Sequence, residues 1–229
     1  DLRLSVGGAL KRSVWTGAGD GVKFNNAANW QPQYVPVNGS ELTFPAAANA
    51  LVNDIDGFAP KSITFGEGVG DVAISGNAIS GVLAITNLST TGNVTFDVPV
   101  AYASGVKMEI YQVGRFHNAT ESTIDEKGFV FFAKGVEGSE TISNTSGGAN
   151  VFAGHWKRTS SSTYTAAKSN AGDYRQVIYP GSSLTVDSAD YTKELYIGEG
   201  GAFTTATVNV SLADSQRFSF QNLGEYVIT

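Results

Sequence analysis

The stretch from Lys61 to Phe96 reads KSITFGEGVGDVAISGNAISGVLAITNLSTTGNVTF. Four triplets in it, Ile63-Thr64-Phe65, Val72-Ala73-Ile74, Leu83-Ala84-Ile85 and Val94-Thr95-Phe96, set apolar residues two apart and are bounded by Gly, Asn or Ser. That alternation puts one face of an extended chain against a core and the other toward solvent, so each triplet predicts a short strand. Their centres, 64, 73, 84 and 95, are nine to eleven residues apart. The last third of the chain behaves alike, with Leu184-Thr185-Val186, Leu195-Tyr196-Ile197, Val208-Asn209-Val210, Phe218-Ser219-Phe220 and Tyr226-Val227-Ile228. Strands so brief and so regularly spaced build a sandwich, a barrel or a β-solenoid whose successive rungs share one apolar core. No long window carries the spacing of an amphipathic helix; a short turn over residues 187–194 is the most the pattern allows, and Ala46–Ala50 could start another, though Pro45 before it and the polar Asn49 suit a loop at least as well.

Working outward, the chain of 229 residues has room for a sizeable core. Hydrophobic residues make up 41% and charged residues only 16%, the reverse of a disordered composition. A net charge of −6 without a basic run disfavours nucleic acid, whose phosphates such a surface repels. The absence of cysteine removes disulfides, thiolate metal sites and a cysteine nucleophile. No apolar run reaches the roughly 20 residues of a membrane helix, so membrane insertion is not expected. The sequence begins at Asp1 without Met, and the expectation is a secreted chain with its signal peptide already removed. Six Asn-x-Ser/Thr sequons (Asn38, Asn87, Asn93, Asn118, Asn144, Asn209) are what chance provides in so Ser/Thr-rich a chain.

The texture changes over residues 107–170, which hold both histidines, His117 and His155, and an aromatic cluster of Tyr111, Phe116, Phe129, Phe131, Phe132, Phe152, Trp156 and Tyr164. Two accounts fit: a long hairpin or side subdomain plugging its own small core, or an excursion carrying a binding surface. The organisation is therefore 1–13, an N-terminal strand or arm; 14–104, an N-terminal β domain; 105–170, an aromatic-rich excursion or subdomain; and 171–229, C-terminal rungs continuing the same core.

The segment VWTGAGDGVKFNNAANW, Val14 to Trp30, leads through Pro36 and Asn38-Gly39 to Leu42-Thr43-Phe44. Trp15 ends a strand, Gly19-Asp20-Gly21 suits a turn with positive φ, Asn25 and Asn29 can bond back to nearby backbone, and Trp30 supplies a large apolar cap. An end cap is what a stack of rungs requires, because an uncovered terminal rung exposes pairing edges. This pattern, with Trp15, Gly17, Asp20, Gly21, Asn29 and Trp30 as its signature, resembles the opening of bacterial autotransporter-associated β-strand repeat proteins. The specific resemblance spans Trp15 to Phe44 and is textural from Lys61 to Tyr102. It implies a large cell-surface or secreted protein and a right-handed β-helix. The expected fold is thus all-β, a right-handed β-solenoid with a central excursion, the alternative being a β-sandwich.

Tests for chemistry return little. A serine hydrolase would need His117 or His155 as its base, and no Gly-x-Ser-x-Gly elbow exists. Two lone histidines have no metal-ligand spacing. Asp54-Ile55-Asp56-Gly57 starts like a calcium loop, but Phe65 stands where the bidentate Glu belongs, leaving an Asx-rich turn. The acids Glu109, Glu121, Asp125, Glu126, Glu137 and Glu140 crowd the middle region without a recognisable pair. Gly66-Glu67-Gly68-Val69-Gly70 and Gly198-Glu199-Gly200-Gly201 lack a following helix and a Walker lysine, and read as turns between strands. His155-Trp156-Lys157-Arg158 joins an aromatic face to positive charge; it suits stacking on a sugar ring, or else Trp156 is an interior anchor beside a solvated basic pair.

Two classes of function remain. The first is an extracellular structural or adhesive protein of the bacterial surface, not an enzyme and without cofactor or metal. It would assemble with itself into a filament or oligomer through the alternating segment Leu2, Leu4, Val6, which precedes the flexible Gly7-Gly8 and could add to a neighbour's sheet. The second is a carbohydrate-binding module, polysaccharide lyase or hydrolase taking glycans along a solenoid flank. A trimeric viral fibre is a weaker third.

Overall fold

The structure is a computed structural model that describes residues 12–46, 50–103, 108–113 and 127–138, and beyond these the backbones of further strands between residues 140 and 221. It is sheet-rich, with a single 3-10 turn at Ala27–Asn29 as the helical content of the described residues. The strands are β1 (Arg12–Trp15), β2 (Trp30–Gln31), β3 (Glu41–Phe44), β4 (Ala50–Asn53), β5 (Ser62–Phe65), β6 (Val72–Gly76), β7 (Ile79–Val82), β8 (Ala84–Asn87), β9 (Val94–Phe96), β10 (Val100–Tyr102), β11 (Met108–Gln112) and β12 (Val130–Gly138). They continue with β13 (Glu140–Asn144), β14 (Asn150–Arg158), β15 (Thr163–Ala166), β16 (Gln176–Ile178), β17 (Ser183–Val186), β18 (Leu195–Ile197), β19 (Thr207–Val210) and β20 (Phe220–Gln221).

Pairing is parallel, with β1–β2 the one antiparallel pair among the described residues. One sheet runs β2-β1-β3-β5-β8-β11-β13-β15, and the other runs β4-β6-β9-β12-β14-β16-β18-β20 with side branches β7-β10-β12 and β14-β17-β19. Apart from β1 and β2, strands adjacent in sequence are not paired with each other: β6 and β7, between β5 and β8 in the chain, belong to the other sheet. An antiparallel sandwich joins neighbouring strands by hairpins instead. Register partners are 21 residues apart at Leu42↔Ile63, 22 at Ile63↔Ile85 and 25 at Ile85↔Ile110, then 36 at Thr95↔Phe131.

Because the pattern repeats at nearly the offset of the pairing, like side chains stack on like. Leu42, Ile63, Ile85 and Ile110 form one buried row, and Leu51, Ile74, Phe96 and Phe132 another. Phe44 stacks on Phe65 at 5.1 Å between ring centroids, and Phe96 on Phe132 at 5.5 Å. Each such side chain contributes about 1.5–3 kcal/mol through burial. The stack supplies what a single hairpin of this length cannot.

Several elements depart from the triplets read in the sequence. The strand expected at 83–85 runs instead from Ala84 to Asn87, and Leu83 is only half-buried. The fully buried polar Asn87 holds the inward place because its carboxamide serves the corner that follows, donating to Gly92 O at 3.2 Å and Phe129 O at 3.1 Å and accepting from Ser89 N at 3.1 Å. Strand β7 escapes a period-two reading because its buried residues, Ile79 and Val82, are three apart across Gly81, which has φ +67°. Strands of the aromatic-rich segment 105–170 pair within the same ladders: β11 with β8, and β12 with β9. The helical turn at 187–194, Tyr226-Val227-Ile228 and Gly198–Gly201 lie outside the described residues; Phe218-Ser219-Phe220 is described only where β20 begins, at Phe220.

Candidate functional site

Two constellations stand out among the described residues, one at the start of the ladders and one on an outer face. The first is the Trp15–Trp30 signature. Gly17 and Gly21 adopt φ +64° and +69°, values that an L side chain rarely accepts, so the turn is written in glycine. Gly19 has no such φ; a Cβ there would come within 2.8 Å of Asn29 Oδ1. Asn29 is the hub and is fully buried. Its Oδ1 accepts from Gly19 N at 2.9 Å and Gly21 N at 3.0 Å, and its Nδ2 donates to Asp20 Oδ1 at 2.7 Å and Lys23 O at 2.9 Å. Asp20 Oδ1 also accepts from Val22 N and Lys23 N, both at 2.9 Å. Those donors, the Lys23 amide first and the Asn29 side chain next, hold the Asp20 carboxyl well below the usual carboxylate range. Asn26, which the sequence did not single out, turns back onto Ala28 N at 3.1 Å, whereas Asn25 uses its backbone N–H to reach Asp54 Oδ1 at 2.8 Å.

Below this knot Trp15, Trp30, Phe24 and Phe44 enclose one another, with Trp15 and Trp30 at 4.9 Å and Trp30 Nε1 donating to Phe24 O at 2.8 Å. The same segment covers the first strands. Val52 N donates to Val22 O and Phe24 N to Val52 O, both at 2.9 Å, alongside β4, while bonds from Gly39 N to Ala59 O at 2.7 Å and from Lys61 N to Ser40 O at 2.8 Å extend the β3–β5 ladder. Beside it Glu41, bonded first by Lys61 at 2.6 Å and then by Arg12 at 3.3 Å, has its carboxyl lowered in an exposed cluster of little energetic weight.

The second constellation is a groove of about 610 Å³ lined by Asp71, Val72, Ala73, Asn93, Thr95, Lys127 and Phe131. Ala73, Thr95 and Phe131 are register partners on β6, β9 and β12, and their neighbours Ile74, Phe96 and Phe132 face the core. Lys127 Nζ donates to both carboxylate oxygens of Asp71, at 2.8 and 2.7 Å, and Asn93 N donates to Asp71 Oδ1 at 2.9 Å. Lys127 first and the Asn93 amide second lower the Asp71 carboxyl. Phe131 meets the buried Phe129 edge-on at 6.3 Å, and Phe129 N donates to Asn93 Oδ1 at 3.0 Å. Nothing local announces this pairing, since Asp71 and Lys127 are 56 residues apart. Only Phe131 carried a signal: in Phe131-Phe132 an extended chain sends one ring to each face.

The residues 155–158 fall on β14, where His155 is in register with Ser183, Trp156 with Val136 and Leu184, Lys157 with Glu137 and Thr185, and Arg158 with Gly138 and Val186. Trp156 thus continues the register row of Ile79, Val100 and Val136, which are buried. Leu2, Leu4, Val6 and His117 lie outside the described residues, as do Glu121, Asp125 and Glu126. Glu109 is exposed on β11, one register position from the row pairing Met108 with Glu140. Asp54 and Asp56 bond Asn25 N and Asn77 Nδ2 at 2.8 and 2.9 Å, and no group of three His, Asp or Glu able to hold a metal occurs among the described residues. The Gly66–Gly70 stretch is the turn between β5 and β6. Among the described residues no helix is long and apolar enough to cross a membrane. Compared with known proteins, the chain matches no family model, no curated protein and no solved structure.

Proposed function

We propose that the chain is a right-handed β-solenoid serving as a structural or adhesive module of the bacterial exterior, akin to the autotransporter-associated β-strand repeat proteins, and that it assembles with itself. The observation that carries this reading is the run of in-register parallel ladders in which each strand pairs with one about a coil later in the chain. Parallel strands linked through the opposite sheet favour a coil of constant hand, and the right hand is the rule for such crossovers. The described residues are organised around main-chain pairing and stacked rows, the design of a scaffold that presents surface over length. The cover that Val22 and Phe24 lay along the edge strand β4 supports an extended stack, since an edge without cover would aggregate.

Residues 1–11 are assigned the role of a crossing arm that adds to another copy's sheet. Negative-stain electron microscopy and light scattering on the full chain and on a chain lacking residues 1–11, which keeps β1, test this. Fibres or oligomers from the full chain that vanish on truncation are expected. A full chain that is a discrete monomer at high concentration, or assembly that survives truncation, overturns the arm.

A further inference from the structure

The floor of the outer groove is a row across three strands. Ala73, Thr95 and Phe131 stand at successive strand spacings of about 4.8 Å. Phe131 is braced by the edge-on contact with buried Phe129, so its ring is held in place before any ligand arrives. The methyl of Ala73 and the short Thr95 leave room beside that ring, and the Thr95 hydroxyl bonds no other described residue. The wall is the Asp71–Lys127 pair, carboxylate and ammonium side by side, steadied by the Asn93 amide.

We propose that this groove binds a neutral saccharide chain laid across the strands, one sugar ring over Phe131 and its hydroxyls on Thr95 and the Asp71–Lys127 pair. A sugar ring offers an apolar C–H face to an aromatic and a rim of hydroxyls that both donate and accept. Phe131 answers the first, and a carboxylate next to an ammonium answers the second. The two charges already neutralise each other through two short bonds, so an anionic ligand has to compete with Asp71 for Lys127, and an apolar peptide would strip water from both without replacing its hydrogen bonds. A hydroxyl can bridge the pair while leaving it intact. The inference does not depend on self-assembly: fibre formation tests that reading and saccharide retention tests this one.

The test is affinity electrophoresis of the full chain in native gels containing soluble glucan, mannan, galactan or arabinoxylan, with polygalacturonate as the anionic comparison. Retardation by at least one neutral polymer is expected. It should weaken roughly tenfold in apparent Kd, equivalent to about 1.4 kcal/mol, in Phe131→Ala and return in Phe131→Trp. Thr95→Arg, a change at a solvent-facing position that fills the floor, gives the same loss if Phe131→Ala fails to fold. Retardation by none of the four neutral polymers, retardation by polygalacturonate alone, or retardation that survives both Phe131→Ala and Thr95→Arg overturns the assignment.

Discussion

Replacing Asn29 with Ala removes the hub of the N-terminal knot. Three of its four bonds go to backbone, to Gly19 N, Gly21 N and Lys23 O at 2.9–3.0 Å, in a partly buried setting. Each is worth about 1 kcal/mol net, and water reaches some of the abandoned groups, so the expected loss is about 2–4 kcal/mol. Asn29→Asp separates hydrogen bonding from shape. It keeps Oδ1 for the two glycine amides but sets a second carboxylate oxygen where Nδ2 now lies 2.7 Å from Asp20 Oδ1, so this variant regains stability on mild acidification, opposite to the parent. Trp15 and Trp30, two of the chain's three tryptophans, pack directly beneath, so urea unfolding followed by tryptophan emission reads the cap. A loss under about 1 kcal/mol in Asn29→Ala would refute the assignment of Asn29 as the cap's organiser.

Ile85→Ala, in the middle of the aliphatic row, is expected to cost about 2–5 kcal/mol in chemical denaturation, against under about 0.5 for Glu109→Ala on the exposed parity of β11. Asn87→Leu removes the side-chain donor to the carbonyls of Gly92 and Phe129, each of which keeps a backbone donor, and the acceptor of Ser89 N, and should cost about 1–3 kcal/mol; because the Asn87 side chain is buried, peptide mass spectrometry of material from a glycosylating host should find its sequon empty. In Gly92→Ala the new Cβ falls on the backbone of Gly70, and the strain should lower the melting temperature at a cost of about 1–3 kcal/mol. Since the Asp20 carboxyl is lowered by folding, its contribution is complete above the ordinary carboxylate pKa of about 3.9 and is lost as pH falls below it. An acid titration of tryptophan emission should therefore show the cap loosening below about pH 4, and Asp20→Asn should flatten that dependence.

How far these features were legible depends on whether their cause is local. The triplets at 63–65, 72–74 and 94–96 announce themselves because alternation is a property of a few adjacent residues. Trp15, Gly17, Gly21, Asn29 and Trp30 form a turn within one short segment, so residue type alone indicates glycine torsions, a carboxamide tie and an aromatic lid. Strand β4 was hidden by the alanines before it, and β7 by a glycine that spaces its buried residues three apart. Pairing sense is a property of residues more than twenty positions away, and no triplet encodes whether its partner runs alongside or returns. The groove is the extreme case: Asp71 and Lys127 look like ordinary surface charges until the ladder brings them together.

The covering of the first rung also gives the molecule a direction. Since Val22 and Phe24 already occupy hydrogen-bonding positions along the edge strand β4, two copies cannot zip together head to head through that edge. Any thread of such subunits joined through their sheets would then have tips that are chemically different.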